Sequence, residues 1–260
     1  MDITFTEAIF LTILAVAAAI GGVHLVRRTV SHGRLREHNE ITDPMLAVLG
    51  TLFAILLGFM LANSMQRFEE ARSNAQAEAG VIGDLFRLAS SLSPPVKSSI
   101  QGNCISYADT VIVVEWPHMK TGQLADAAWN VYGDLWQGCL QYQPQTQSQS
   151  NVHQALIASI QKLGECRRAR AAELHYGLPQ SLWFVLLFGG LTTIGFTFFF
   201  GMDDVRLHML MTGLITAIIC LNVYMLAGYD APFSGDISIT PIAFESMKDT
   251  MLKVSSGQWR

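Results

Sequence analysis

Six polar side chains between residues 63 and 78 are spaced so that they fall on one face of a helix. They are Asn63, Gln66, Arg67, Glu70, Asn74 and Glu78. Side chains three or four residues apart point the same way because an α-helix repeats every 3.6 residues. A row of amides and charges can attract and hydrate ions, as charged rings do in channels. It equally fits a solvated helix face on which Arg67 pairs with Glu70.

Other reactive residue types lack the spacing that catalysis or metal binding requires. The seven histidines are scattered, and the sequence has no HExxH zinc motif, no GxSxG nucleophile motif and no phosphate-binding glycine loop. The four cysteines form no CxxC or Cys/His ligand pattern. We therefore expect a protein that is not an enzyme, with no catalytic residue, no metal site and no cofactor.

The composition indicates a membrane protein. Half of the 260 residues are hydrophobic and 15% are charged, whereas ordinary soluble domains carry about 25% charge. A net charge of −4 gives no general case for binding nucleic acid. A helix needs about 20 apolar residues to cross a bilayer, and four windows provide them. They are residues 8–26, 44–62, 181–202 and 205–228.

Between the second and third windows, the sequence predicts a set of water-facing helices. Apolar residues recur every three or four positions in stretches separated by Pro94, by Trp116-Pro117 and by a Gln- and Ser-rich run. The predicted helices cover about 66–92, 96–114, 123–142 and 150–176. Residues 61–71 contain no Gly or Pro. We therefore predict that the first of these helices continues the second span without a break, and that the last joins the third span continuously or nearly so.

These elements define an all-α integral membrane protein with four transmembrane helices and an inserted extramembrane helical bundle. The predicted parts are a transmembrane hairpin at 1–64, a helical domain at 65–180, a second hairpin at 181–228 and a C-terminal loop with an interfacial helix at 229–260. The lipid bilayer is thus an expected partner, and nucleic acid is not.

Three stretches of the sequence resemble the bacterial bestrophin-like membrane proteins, catalogued largely as a domain of unknown function. They are residues 56–87, 177–201 and 206–245, and their most specific parts are RFEEAR at 67–72 and DAPFSG at 230–235. The more distant true bestrophins are four-span oligomeric ion channels with an axial pore lined by the second transmembrane helix. The resemblance implies a homo-oligomer in the bacterial inner membrane that passes small ions.

On this interpretation the second helix, residues 44–92, lines the pore. The polar row Asn63, Gln66, Arg67, Glu70 and Asn74 would line a vestibule. A narrower apolar stretch around Gly50, Phe53, Leu57 and Met60 would follow it and could gate by dewetting. The alternative function is a non-conducting adaptor or sensor whose helical domain binds a partner.

The loop after the fourth span is a second candidate site. Its residues are Asp230, Pro232, Phe233, Ser234 and Gly235. Pro232 should end the span, Gly235 permits a tight turn, and Pro241 can open a last helix. The loop could pack at the pore mouth or on a neighbouring subunit. Alternatively, Tyr229 and Phe233 could anchor it at the depth of the lipid headgroups.

Charge predicts the orientation. The first loop carries Arg27, Arg28, Arg34 and Arg36, which favours a cytoplasmic position for it. The termini and the helical domain would then be extracytoplasmic, unlike the cytoplasmic termini of bestrophins. In an oxidising compartment two of the cysteines at 104, 139 and 166 could pair; alternatively, each is a free core residue on the apolar stripe of its helix.

Overall fold

The computed structural model describes residues 4–30 and 39–258, and every regular element in these ranges is helical. The helices are α1 (Phe5–Thr29), α2 (Asn39–Ala89), α3 (Pro94–Thr110), α4 (Trp116–Met119), α5 (Ala127–Gln141), α6 (Gln147–Ala172), α7 (Gln180–Thr197), α8 (Val205–Asp230) and α9 (Ile242–Ser255). A π-helical turn, Val111–Glu115, joins α3 to α4. The all-α prediction is confirmed. Arg34 and Arg36, used above to predict orientation, lie outside the described residues.

Four of the described helices are long and apolar enough to cross a bilayer: α1, α2, α7 and α8. They correspond in order to the four apolar windows, so the four-span prediction is confirmed. The bounds differ at the third span, where α7 ends at Thr197 rather than at the predicted residue 202.

The chain divides into two compact units. We call the first the membrane unit (Met1–Arg67 and Leu178–Asp230) and the second the helical unit (Phe68–Gly177 and Ala231–Arg260). Residues Ala231–Arg260, after the last span, belong to the helical unit, and the interfacial position suggested for the last helix stays a prediction. Phe244 and Met251 of α9 are buried in that unit, so this face of the helix is covered by protein.

Helix α2 runs for 51 residues without interruption, as the absence of Gly and Pro from residues 61–71 predicted. Past Pro44, which has no N–H to donate, the backbone amides of the helix interior bond within the helix, so the change from apolar to polar surroundings requires no break. The return path differs. Residues 173–179 separate α6 from α7. Pro179, which disfavours helical backbone at the residue before it, immediately precedes the first residue of α7.

One hydrophobic cluster of the membrane unit joins α2 to α7 and α8. Phe53, Leu57 and Met60 are buried and form one cluster with Leu186 of α7 and Leu226 of α8. The helices approach closely where the side chains are small. A methyl group added at Gly189 would lie 3.0 Å from the Phe53 ring, which explains why glycine occupies this contact.

The core of the helical unit contains a buried ion network. Arg170 donates from Nε to Glu78 Oε2 at 2.7 Å, and from Nη2 to Glu78 Oε1 at 2.9 Å and Glu115 Oε2 at 2.7 Å. Arg167 donates to the other oxygen of Glu115, and the Tyr107 hydroxyl donates to Glu78 at 2.7 Å. Placing Glu78 in the exposed polar row was therefore wrong, since its side chain is fully buried.

The π-helical turn positions one carboxylate of this network. The sequence predicted that Trp116-Pro117 ends the helix, but the chain stays helical to Met119. The backbone N–H of Trp116 donates to the Val111 carbonyl, five residues back. This wider turn relieves the crowding that a proline ring causes inside an α-helix. Glu115 and Trp116 both point into the core.

Burial and charge together fix the protonation states in the helical unit. Burial alone would lower the pKa of Arg170, but Glu78 and Glu115 beside it raise that pKa above its usual value, so the guanidinium stays charged. Burial raises the pKa of the Cys104 thiol and brings that of Cys139 to about 11. All four cysteines are free thiols, as expected for small core residues.

We predict that Arg170→Met strongly destabilises the protein. The substitution leaves Glu78 buried without a guanidinium and Glu115 with that of Arg167 alone, which costs about 3 kcal/mol or more and lowers the thermal midpoint by roughly 6 °C or more. Thermal unfolding of the purified protein in detergent measures this. Arg168→Met, at an exposed position of the same helix, is the matched control and should change the midpoint little. Equal midpoints for the two variants would contradict the role assigned to the network.

Candidate pore-lining helix and the loop after the last span

Half of the six side chains in the polar row on α2 are exposed. Asn63, Gln66 and Glu70 are exposed, and Asn74 is half-buried. Residues 63, 66 and 70 are three or four positions apart, so their side chains share a face of the helix. This exposed face could contact water, ions or another subunit.

The apolar residues that the sequence suggested as a constriction lie on a different face. Phe53, Leu57 and Met60 are buried in the membrane unit against α7 and α8, and Gly50 is half-buried. Their burial removes them from the exposed face that carries Asn63, because each packs against side chains of its own chain.

Another apolar set continues the exposed row into the span. Leu52, Ile55 and Phe59 are 64%, 53% and 74% exposed. Phe59 precedes Asn63 by one helical turn, and Ile55 and Leu52 continue the same spacing backwards. Extending the spacing of the polar row backwards along the sequence leads to this set.

Arg67, the remaining member of the row, turns towards α8. Its Nη2 atom lies 2.5 Å from Asp230 Oδ1, and the two side chains are 22% and 14% exposed. Asp230 also accepts from the Leu178 backbone N–H at 2.8 Å and from the Trp183 indole at 3.4 Å. Asp230 thus joins three parts of the membrane unit. The sequence suggested only Glu70 as a partner for Arg67, because a contact across 163 positions leaves no local pattern.

The loop that follows α8 packs into the helical unit. Phe233 is 2% exposed, and its ring meets Trp116 edge-on with centroids 5.7 Å apart. The Ile239 N–H donates to the Pro232 carbonyl at 2.8 Å, and the Ile239 carbonyl accepts from the Trp116 indole at 3.1 Å. A ring enclosed in this way is not available as a lipid-interface anchor.

Local backbone geometry shapes the same loop. Helix α8 ends at Asp230, two residues before the buried Pro232. The Ser234 N–H donates to the Ala231 carbonyl, and Gly235 has a φ of +73°, a left-handed conformation that glycine adopts without strain. Ser234 is half-buried. The turn reverses the chain so that Phe233 and Ile239 both reach Trp116.

Within residues 4–30 and 39–258, no group of three or more His, Cys, Asp or Glu side chains is placed to hold a metal ion. The buried carboxylates Glu78 and Glu115 are occupied by Arg167, Arg170 and Tyr107. Their arrangement is that of a structural ion network, with the charges directed at one another.

The fold defines a class: a four-span helical membrane protein with a helical unit joined to its second span. The bestrophin-like domain matches residues 13–244, and the chain belongs to this family. No curated protein matches the sequence.

Solved structures share the fold. A crystal structure of a bacterial bestrophin homologue from Klebsiella pneumoniae, carrying a single substitution, is 13% identical, with a TM-score of 0.74 over 96% of this chain and 99% of that one. Another structure of that homologue is 12% identical, with a TM-score of 0.73 and coverage of 97% and 99%. A structure described as a membrane protein is 12% identical, with a TM-score of 0.72 and coverage of 96% and 99%.

We predict that Phe233→Ala loosens the loop after α8. Truncating a buried phenylalanine costs about 3–5 kcal/mol, and here it also removes a ring contact to Trp116. Limited proteolysis should cleave the variant within residues 231–241 faster than the wild type. Ser234→Ala, in the same turn, is the control and should be cleaved at the wild-type rate. A Phe233→Ala variant as resistant as the wild type would contradict the anchoring role.

Proposed function

We propose that this protein is a homo-oligomeric ion channel in which α2 lines the path of small ions. Family membership makes a channel the leading function, and the exposed face of α2 is the observation that carries the proposal. That face is apolar at Leu52, Ile55 and Phe59, and polar from Asn63 onwards.

An ion path formed by this face would have two sections. Apolar side chains repeated around a symmetry axis form a constriction from which water withdraws, so ions cross it only when it widens. Amides and carboxylates on the next turns offer ions a partial replacement for their hydration shell. One continuous helix supports both sections, and a rigid support keeps a constriction narrow and reproducible.

The residues proposed here for the narrow section differ from those that the sequence suggested. We assign the narrow section to Leu52, Ile55 and Phe59, because Phe53, Leu57 and Met60 contact α7 and α8 of their own chain. A side chain held in that core stabilises the membrane unit whether or not the protein conducts.

We expect Phe59→Ala to increase single-channel conductance in planar bilayers, because a smaller side chain widens and wets the constriction. Phe188→Ala is the matched control. Phe188 is an apolar residue of α7, 63% exposed, and its truncation should leave conductance unchanged. The absence of current from the wild-type protein at every potential would reject the channel, and equal effects of the two substitutions would reject the assigned face.

Oligomeric state separates the channel from the adaptor. An axial pore needs several copies of α2, so the mass of the purified protein in detergent should be a multiple of the protomer mass. A monomer without current would favour the non-conducting adaptor or sensor.

We further propose that the protein lies in the inner membrane with its helical unit extracytoplasmic. The Arg27 guanidinium donates to the Met202 carbonyl and lies 3.2 Å from His208 Nδ1. The end of α1 and the α7–α8 turn are therefore adjacent, so Arg27, Arg28 and Arg206 lie at one end of the membrane unit. The positive-inside tendency favours the cytoplasm for that end.

Cysteine labelling tests this orientation. We expect Gln145→Cys, in the polar connector before α6, to react with a membrane-impermeant maleimide added to the extracytoplasmic side. Thr29→Cys, exposed at the end of α1, should be protected from the same reagent. The wild-type protein, labelled in the same way, measures how much reagent its four native cysteines take up. The reverse labelling pattern would overturn the orientation.

A further inference from the structure

One ion pair of the membrane unit lies beside the proposed ion path without belonging to its exposed face. Arg67 and Asp230 are paired at 2.5 Å and are mostly buried. Arg67 follows the exposed Gln66 directly and lies one turn beyond the exposed Asn63. Its guanidinium points instead to the end of α8.

The pair is close enough to influence ions at these amides. A helix with its side chains is about 10–12 Å across, so a charge on its flank lies about a Debye length from an ion passing its exposed face at 0.1 M salt. A mostly buried charge is also screened less than one in open water. Because the two charges are opposite and adjacent, their fields largely cancel at that distance.

We propose that Asp230 is a specificity-determining residue of the channel: it neutralises Arg67 and holds the guanidinium off the face that carries Asn63 and Gln66. The inference rests on the proposed channel function. Ions passing these two amides then meet dipoles with little net charge from the flank. The ion preference of the path therefore depends on a pair of residues that need not touch an ion.

Removing the charge of Asp230 and removing that of Arg67 should shift the ion preference in opposite directions. Removing the Asp230 charge leaves one positive charge per subunit and favours anions, whereas removing the Arg67 charge leaves one negative charge and favours cations. Removing both restores the balance. A purely structural pair would not produce shifts of opposite sign, because both single variants would lose the same contact.

The Arg67→Gln variant keeps most of the surrounding scaffold. Asp230 retains its bonds from the Leu178 N–H and the Trp183 indole, so the end of α8 stays tied to the start of α7. Asp230→Asn preserves the shape of the side chain, and its one carbonyl oxygen can still accept from the Leu178 N–H, which donates to Oδ1 in the wild type.

The experiment measures reversal potentials of wild type, Asp230→Asn, Arg67→Gln and the double variant in planar bilayers under a KCl gradient. We expect the cation-to-anion permeability ratio to fall about twofold or more in Asp230→Asn and to rise about twofold or more in Arg67→Gln, from the Coulomb energy of one charge at this distance. The double variant should return to the wild-type ratio. Asp84→Asn is the control, because Asp84 forms an exposed pair with Arg87 at 3.4 Å in the helical unit, and it should leave the ratio unchanged.

The outcomes separate this inference from the channel itself. Wild-type current with the same permeability ratio in all variants would overturn the inference and leave the channel standing. A silent wild type would overturn both. If Asp230→Asn does not assemble, two other variants decide the question: Arg67→Gln, and the charge exchange Arg67→Asp with Asp230→Arg. A wild-type permeability ratio in Arg67→Gln overturns the inference.

Discussion

The need to satisfy every backbone hydrogen bond in lipid is the constraint on which this structure depends. Water cannot supply partners inside a bilayer, and a helix meets this constraint because its backbone hydrogen bonds form within the one segment. In α2 the helix also continues past the span, to Ala89. One helix therefore supplies core residues to the membrane unit, core residues to the helical unit, and an exposed face that changes from apolar to polar.

Charge is handled differently in the two units. In the helical unit, two guanidiniums and two carboxylates are enclosed together, and all four carboxylate oxygens accept from a guanidinium. Isolating one member would be costly, because burial penalises an unpaired charge far more than it rewards a paired one. In the membrane unit, Arg67 and Asp230 form a smaller pair that retains some exposure, so the balance of charge beside the exposed face can be altered without dismantling a core.

The loop after α8 illustrates how a short irregular segment is fixed by specific contacts. Phe233 supplies an apolar ring, Gly235 a left-handed turn, and Ile239 a carbonyl for the Trp116 indole. The π-helical turn contributes to the same arrangement, since it carries Glu115 towards the arginines and Trp116 towards Phe233 while accommodating Pro117. A local distortion of one helix thus places two side chains that hold separate parts of the helical unit together.

The sequence by itself determined the four spans, the continuity of α2, the helical character of the insert and the family, because these depend on apolar length, on helical periodicity and on short motifs read along the chain. Tertiary structure decided which face of each helix is buried. Glu78 has the spacing of a solvated row, yet it is enclosed by Arg170 and Tyr107. Phe53, Leu57 and Met60 are apolar in the right span, yet they face α7 and α8. Asp230 became the partner of Arg67 only when distant helices met. Local spacing fixes which residues share a direction, but only the packing of helices far apart in sequence determines what lies in that direction.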